Sequence, residues 1–137
     1  MRFIIPNVMS EQVAKTFVPE YLDWNDSRLK DVLDVVANNC DADTTGPAYA
    51  RVEDRPAGHP WHRDVGTKNH MDWCRYSGRL LLDPPSAFQG GEFYFKDEPT
   101  TPIFGYLSVV LYDNDVDNEH FVASHSGSRR VLLMFFS

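Results

Sequence analysis

Cysteine, basic charge and long apolar runs are all scarce in this sequence, and each shortage excludes a class of protein. Two cysteines, Cys40 and Cys74, are too few for a disulfide framework, so we expect free thiols, with one bridge as the alternative. The formal net charge of -7 argues against a nucleic-acid partner, which needs a basic surface. No apolar run approaches the roughly 20 residues that span a bilayer. We therefore expect a cytoplasmic protein that binds neither nucleic acid nor membrane.

The first part of the chain carries helix signals. The 137 residues are 42% hydrophobic and 13% aromatic, as in an ordinary globular protein. Ser10 is a predicted N-cap for a helix over 11–18. A second helix, capped by Asp26 or Ser27, should end near residue 39, because its apolar residues recur at helical spacing.

The pattern changes near residue 47, where short strands separated by Gly, Pro, Asn and Asp begin. Segments 80–82 and 131–136 are apolar on both faces, as expected of strands buried between another sheet and covering helices. Helices followed by many strands indicate an α+β fold, mainly β, whose body is a sandwich or barrel. We predict a single domain over 1–137, helical at about 10–39 and built of strands at about 48–137. The predicted strands lie at 2–5, 48–53, 59–65, 75–83, 92–96, 106–112, 121–124 and 129–136.

The triplet His62-Arg63-Asp64 lies in one of these predicted strands. Side chains alternate faces along a strand, so His62 and Asp64 point the same way while Arg63 points to the other side. An imidazole and a carboxylate two residues apart can hold neighbouring positions on a metal ion. His120, from a distant strand, would complete a triangle whose other side is open. This is the 2-His-1-carboxylate arrangement of non-haem Fe(II) oxygenases, although a lone His-x-Asp is a weak signal.

Two further motifs follow the triplet in order. Gly90-Gly91-Glu92 predicts a tight turn leading into an aromatic strand. Gly127-Ser128-Arg129 leads into the last apolar strand and places a guanidinium nine residues after His120. Together with the triplet, this ordered set resembles the Fe(II)/2-oxoglutarate-dependent oxygenases, most closely the prolyl-4-hydroxylase-like branch. The resemblance covers about residues 48–137.

The resemblance implies a fold and a reaction. The fold is a double-stranded β-helix, or jelly roll, of cupin-like type with N-terminal helices packed on one sheet. The reaction is hydroxylation of a C–H bond with O2, coupled to decarboxylation of 2-oxoglutarate to succinate and CO2, with ascorbate as a possible reductant. The leading substrate is a peptidyl proline, and a free amino acid or other small molecule is close behind.

The resemblance also assigns the principal site residues. His62, Asp64 and His120 are the expected ligands of Fe(II). Arg129 is the expected partner of the C5 carboxylate of 2-oxoglutarate, because a guanidinium matches a carboxylate bidentately and stays charged. If the strand register is off by one residue, Arg130 takes this role.

Secondary contacts to the cosubstrate are expected from three further residues. Ser77 and Arg79 share a strand face that often contributes such contacts in the family. The family also often places a tyrosine some ten residues before His-x-Asp, where this sequence has Val52, so Tyr49 is the nearest candidate. Whether the loops 65–74 and 113–119 close over the site stays open at this point.

Two other classes of function compete with this interpretation. The first is a cupin-like metal-binding or sensing domain without turnover, which has no need of Arg129. The second is a zinc-dependent hydrolase, since two histidines and a carboxylate also make a catalytic zinc site. That second interpretation leaves both the arginine and the Gly-Gly strand unexplained.

The three remaining histidines are interpreted as non-ligands. His125 lies at odd separation from His120 and should point to the opposite face. His59 precedes a proline and is expected in a loop, and His70 is expected to be exposed or to face the substrate. The acidic run 113–119, together with Asp72, is alternatively an attractor for a cationic substrate segment.

Overall fold

Short antiparallel strands make up most of the regular secondary structure. The computed structural model describes residues 1–45, 49–65, 71–103 and 105–137. The helices are α1 (Glu11–Ala14) and α2 (Lys30–Asn39). The strands are β1 (Arg2–Ile5), β2 (Glu20–Leu22), β3 (Tyr49–Glu53), β4 (His59–His62), β5 (Tyr76–Leu81), β6 (Phe88–Gly90), β7 (Phe93–Phe95), β8 (Val109–Asp113), β9 (His120–Val122), β10 (His125–Gly127) and β11 (Val131–Phe136).

The strands form one large sheet and two small ones. The large sheet has six antiparallel strands in the order β1-β8-β5-β11-β3-β2, so strands far apart in sequence become neighbours. The small sheets are β4-β9-β7 and β10-β6. Phe93, Phe95 and Val122 of the three-stranded sheet pack against Val110 and Tyr112 of the large sheet. The large and small sheets therefore face each other as two layers.

The central strand β11 shows how the large sheet is buried on both faces. Leu132, Met134 and Phe136 share a core with Val32 and Val36 of α2. The alternate residues of β11 pack on the other face, toward the small sheets, as a second cluster with Leu81 of β5. All six residues of β11 are buried. The structure confirms the prediction for this segment: its two faces are apolar because one is covered by α2 and the other by the small-sheet side.

The helices differ in length from the predicted ones. The Ser10 hydroxyl accepts a hydrogen bond from the N–H of Val13 at 3.1 Å, as its N-cap role predicts. Helix α1 then ends at Ala14, four residues before the predicted end, where the hydrogen bonds shorten to i→i-3 at Thr16 and Phe17. Helix α2 ends at Asn39 as predicted. Its start is delayed by a 3₁₀ turn over Ser27–Leu29 that Asp26 caps.

Several strand boundaries also differ. Strands β2, β6 and β10 are absent from the predicted set, and each has only three residues, too few to show a period by themselves. The predicted strand 59–65 ends at His62, and the predicted strand 106–112 begins at Val109. The first residue of the predicted strand 48–53 lies outside the described residues.

Two composition-based expectations can be compared with the structure. Cys40 and Cys74 are free thiols, as predicted. Within the described ranges, neither helix has the length and apolar character needed to cross a membrane.

Candidate metal centre

The three predicted metal ligands meet at the edge of the three-stranded sheet. His62 ends β4, Asp64 follows in a bend, and His120 begins β9. Strands β4 and β9 pair so that His62 lies opposite His120. The Nε2 atoms of His62 and His120 lie 3.4 and 3.3 Å from Oδ1 of Asp64. One donor atom from each residue lies within 4.8 Å of the others, so strand pairing assembles a three-ligand site.

Both imidazoles are oriented by their Nδ1 atoms. Nδ1 of His62 lies 2.7 Å from the carbonyl oxygen of Pro60, and Nδ1 of His120 lies 2.8 Å from that of Asn118. A carbonyl only accepts hydrogen bonds, so Nδ1 carries the proton and Nε2 keeps its lone pair for a metal. Burial lowers the pKa of His120, which favours this neutral form.

Asp64 is buried and held by a tyrosine behind it. Tyr112 donates a hydrogen bond to Oδ2 of Asp64 at 2.8 Å, which leaves Oδ1 directed at the histidines. Burial raises the pKa of Asp64, but His120, His62 and Tyr112 lower it more, and the net pKa lies well below the ordinary value. Asp64 is therefore a charged carboxylate at neutral pH. Burial and the charge of Asp64 raise the pKa of Tyr112 well above its usual range, so its hydroxyl remains a donor.

This donor set fits Fe(II). Two imidazole nitrogens and one carboxylate oxygen suit a borderline divalent ion, and His62 and Asp64 also line a cavity from which further ligands can approach. The same set suits Zn(II). The ligands alone therefore do not choose between an oxygenase and a hydrolase.

The cavity beside the ligands measures about 160 Å³ and lies between the large and the three-stranded sheets. Three of the predicted cosubstrate residues, Arg129, Arg79 and Tyr49, line it. Ser77, the fourth predicted residue, is not among the described residues that line the cavity. It is buried, and its hydroxyl lies 3.7 Å from the thiol of Cys74. Strand parity alone is thus an incomplete guide, because Ser77 and Arg79 share a face of β5 but only the longer side chain reaches the cavity.

Arg129 is a buried guanidinium that faces this cavity. It is 8% exposed, and its Nε has no hydrogen-bond partner among the described residues. Burial, with a smaller contribution from the charge of Arg79, lowers the pKa of Arg129 to about 10, so it is still charged at neutral pH. A Cβ at Gly91, whose φ is +70°, would lie 2.5 Å from Cδ of Arg129. Gly91 therefore makes room for the arginine, and the unpaired charge makes the cavity a site for an anion.

The neighbouring Arg130 points to the opposite face. Its Nη2 and Nε donate to the carboxylate of Asp83 at 2.8 and 3.0 Å, and its Nη1 donates to the carbonyl oxygens of Ala14 and Phe17. Arg130 thus fastens α1 to the large sheet. The structure places Arg129, and not Arg130, in the cavity, while the role of Arg129 toward a cosubstrate stays a prediction.

The other histidines lie outside the three-ligand group. Nε2 of His125 is 2.7 Å from Asp54, and the other oxygen of Asp54 accepts the backbone N–H of Arg129 at 3.1 Å, so this pair supports the arginine segment. His59 begins β4, as the predicted strand 59–65 has it and the loop interpretation does not, and it stacks on His62 with ring centroids 3.7 Å apart. Burial, with the charges of His62 and Arg55, lowers the pKa of His59 to about 4, so it is neutral at pH 7.

Of the two loops whose closure over the site stays open, 65–74 and 113–119, only the second is fully described. His70, and residues 66–70 of the loop 65–74, lie outside the described residues. In the loop 113–119, a 3₁₀ turn over Val116–Asn118 is tied to the first strand by Arg2, which donates to Oδ1 of Asn118 at 2.9 Å. Asn118 is the same residue whose carbonyl orients His120.

Sequence reasoning missed three residues of the cavity: Tyr112, Arg51 and Arg55. A usable signal existed for Arg51, because alternation along β3 puts it on the same face as Tyr49, with Ala50 and Val52 buried on the other side. For Tyr112 the sequence gives no such signal, since its contact with Asp64 arises only when β8 and the bend after β4 meet.

The fold and the three-residue group together define a class, a two-layer antiparallel β fold with a candidate site for one metal ion. Among solved structures, a viral collagen prolyl hydroxylase from Paramecium bursaria Chlorella virus-1, in complex with 2-oxoglutarate, superposes with a TM-score of 0.72 at 9% identity over 98% of this chain and 93% of that one. A prolyl-4-hydroxylase from Pseudomonas putida gives 0.65 at 11% identity over 98% and 91%. A 2-oxoglutarate–Fe(II) oxygenase family oxidoreductase from Burkholderia pseudomallei gives 0.53 at 20% identity over 82% and 53%.

These likenesses identify the fold. It is the jelly-roll fold that the chain shares with these solved 2-oxoglutarate–Fe(II) oxygenase and prolyl hydroxylase structures, and the resemblance in the ordered motifs predicts the same fold. No protein-family model matches the sequence, and no curated protein matches it either.

Proposed function

We propose that this chain is an Fe(II)- and 2-oxoglutarate-dependent dioxygenase that hydroxylates a C–H bond. The observation that carries the proposal is the position of Arg129. It is a buried, charged side chain that lines the same cavity as His62 and Asp64. A dicarboxylate bound with one end at the metal and the other at Arg129 would satisfy both. The viral neighbour of the same fold binds 2-oxoglutarate, which supports carrying this ligand over.

Each part of the site has a distinct task in this proposal. Bound Fe(II), with O2 and 2-oxoglutarate, supplies the oxidising chemistry, and 2-oxoglutarate is converted to succinate and CO2. His62, Asp64 and His120 hold the metal from one side. Arg129 binds the C5 carboxylate bidentately and so fixes the cosubstrate in one orientation.

The walls of the cavity complete the site. Arg79 adds positive charge beside Arg129, and Tyr49 also lines the cavity. Leu133 and Phe135 of β11 contribute apolar lining that limits access of water. Exclusion of water strengthens each ion pair inside the cavity.

The rival functions leave part of this arrangement unused. A cupin-like metal-binding or sensing domain gains nothing from a buried guanidinium near the metal, since removing a charge from water without a partner costs free energy. A zinc-dependent hydrolase uses the three ligands but assigns no task to Arg129. We therefore rank both below the oxygenase.

The direct test is succinate formation from 2-oxoglutarate with Fe(II), O2 and ascorbate, together with equilibrium binding of 2-oxoglutarate under anaerobic conditions. The wild-type protein should bind 2-oxoglutarate in an Fe(II)-dependent manner. The Asp64→Ala variant should lose Fe(II) binding, because no other carboxylate replaces the ligand. Asp34→Ala, at an exposed carboxylate on α2 that pairs with Lys30, is the matched control and should bind as wild type does.

The outcomes separate the three functions. Fe(II) binding without any 2-oxoglutarate binding would favour the metal-sensing domain and sink the oxygenase. Hydrolytic activity with Zn(II), and no effect of 2-oxoglutarate, would favour the hydrolase. A peptidyl proline and a free amino acid or other small molecule are both admitted as substrates at this stage, and the cytoplasmic location and the absence of nucleic-acid or membrane partners stay predictions.

A further inference from the structure

The cavity is basic although the chain as a whole is acidic. The sequence has 13 Lys and Arg against 20 Asp and Glu. Among the described residues that line the cavity the balance is reversed, with four arginines against two carboxylates. The arginines are Arg51, Arg55, Arg79 and Arg129, and the carboxylates are Glu53 and Asp64. This concentration of guanidinium groups needs a ligand of opposite charge.

The cosubstrate and the metal do not remove this excess. In the proposed function, the dianionic 2-oxoglutarate offsets the charge of the divalent ion, and its C5 carboxylate occupies Arg129. Arg79 lies close enough to Arg129 to affect its pKa and stacks over Phe93 at 4.4 Å, so it belongs to the same end of the cavity. Arg51 then has only Glu53 as an ion-pair partner among the described residues, and Arg55 has none there.

Arg51 is placed on the cavity side of the large sheet by strand alternation. It lies between Leu133 of β11 and Tyr21 of β2 in the sheet. Its Nη2 is 3.1 Å from Oε2 of Glu53, which holds the guanidinium in one orientation. Its buried Nε has no hydrogen-bond partner among the described residues. Part of the Arg51 fork is therefore free to donate to a ligand.

Arg55 approaches the same space from the turn that connects the two layers. The N–H of Gly58 donates to the carbonyl oxygen of Arg55 at 3.0 Å, which closes the turn between β3 and β4. Arg55 is exposed, lines the cavity and lies near enough to His59 for its charge to lower the pKa of that imidazole. His59 stacks on the metal ligand His62. Arg55 therefore lies on the metal side of the cavity.

We propose that Arg51 and Arg55 bind an anionic group, a carboxylate or a phosphate, of a small-molecule substrate, a proposal that rests on the oxygenase function above. Two guanidinium groups match a terminal anion, which accepts from several N–H donors at once. A polypeptide running through the cavity presents neutral backbone amides there and adds no anion beside Arg55 or the free Nε of Arg51. The charge of the cavity thus opposes the cationic substrate segment considered from the acidic run 113–119.

The test uses zinc-substituted, 2-oxoglutarate-loaded protein, because Zn(II) occupies the same ligands without turnover or paramagnetism. Sodium acetate and sodium phosphate are titrated separately at constant ionic strength while the arginine Nε–H resonances are followed by NMR. The Arg51 resonance should respond at about tenfold lower anion concentration than that of Arg75, an exposed arginine paired with Asp41 that serves as the internal control. The anion that binds more tightly, acetate or phosphate, identifies the anionic group of the substrate as a carboxylate or a phosphate.

A second variant makes the result specific. In Arg51→Gln the response of Arg55 to the same anion should weaken about tenfold, because the two side chains share the ligand. Equal responses of Arg51 and Arg75 to both anions would overturn the proposal. Failure of 2-oxoglutarate to bind in the loading step would instead overturn the oxygenase function, so the two failures are distinguishable.

Discussion

Arg129 and Arg130 are neighbours in sequence, yet they lie on opposite faces of the large sheet and have different hydrogen-bond partners there. On the helix-facing side, Arg130 is paired with Asp83 and with two backbone carbonyl groups. On the cavity side, Arg129 is more deeply buried than Arg130, but its Nε lacks a partner among the described residues. The Arg130 guanidinium thus has its hydrogen-bond partners within the chain, whereas the Arg129 guanidinium keeps a donor available for a ligand.

The rest of each face follows the same division. The helix-facing side is filled by apolar residues of β3, β5, β8 and β11 together with those of the helices. The cavity side combines apolar residues with arginines, histidines and carboxylates. Stability should therefore depend mainly on the first face and ligand binding on the second. Removing residues one at a time tests this separation.

The largest effect is expected from Arg130→Met on stability. The substitution keeps the volume but leaves the buried carboxylate of Asp83 without its cation, which should cost about 3–5 kcal/mol of unfolding free energy. Urea denaturation monitored by far-UV circular dichroism measures it. The control is Arg75→Met, since the exposed Arg75–Asp41 pair should contribute less than about 1 kcal/mol. A loss as small as that of the control would show that the Arg130 network is not a structural anchor.

The sequence predicts the division between the two arginines but not what surrounds each. Strand alternation predicts that only one of the two arginines faces the cavity, because a strand has period two, and the Gly-x-Arg spacing favours Arg129 without fixing the register. The partner of Arg130 on the other face, the end of α1, depends on where a helix of four residues stops. That stop is set by tertiary contacts, and local propensity does not reveal it.

The metal ligands show the same limit. Their order along the chain predicts which residues meet, and the structure brings them together because His62 and His120 lie opposite each other on the paired strands β4 and β9. Tyr112 and Arg51 were missed, because a residue that supports a ligand or binds a substrate carries no fixed spacing to the motif. Long-range strand pairing, which short periodic segments do not encode, decides those contacts.

The next effect in size is expected from Arg129→Met, and its sign differs between stability and binding. The unfolding free energy should not fall, because the substitution removes a buried charge whose Nε has no partner in the described structure. The dissociation constant of 2-oxoglutarate should rise about 10- to 100-fold, as for loss of charge-assisted hydrogen bonds. Calorimetric titration under anaerobic conditions gives the constant, and urea denaturation gives the stability. A large loss of stability with unchanged affinity for 2-oxoglutarate would show that Arg129 contributes to the fold and not to ligand binding, contrary to the division between the two faces.

A smaller effect is expected from Gly91→Ala, which acts on Arg129 indirectly. The added methyl group would lie 2.5 Å from Cδ of Arg129 at a residue whose φ is +70°, so the arginine must shift. We expect weaker 2-oxoglutarate binding, by less than in Arg129→Met, and a stability loss of about 1–2 kcal/mol from the left-handed backbone. Gly105→Ala is the control, because its nearest neighbours lie 3.4 Å from the new Cβ. Unchanged cosubstrate affinity in Gly91→Ala would show that Gly91 does not set the position of the arginine.

The smallest effect is expected in the pH dependence of the Arg130 contribution. Burial raises the pKa of Asp83, but hydrogen bonds from Arg130 and Ser128 lower it more, and the net pKa lies below the ordinary value of 3.8. A carboxyl group whose pKa is lower in the folded state stabilises the fold above its ordinary pKa, and this contribution is lost as the pH falls through the folded-state pKa. The difference in unfolding free energy between wild type and Arg130→Met should therefore be largest near neutral pH and shrink as the pH falls, because Asp83 takes up its proton at a higher pH in the variant, where Arg130 no longer offsets burial. Urea denaturation of both proteins across this range measures it, and carboxylates common to both cancel from the difference. The difference in unfolding free energy could instead stay constant down to the lowest pH at which both proteins fold. Arg130 would then stabilise the helix-facing side through the carbonyl groups of Ala14 and Phe17 alone, and not through Asp83.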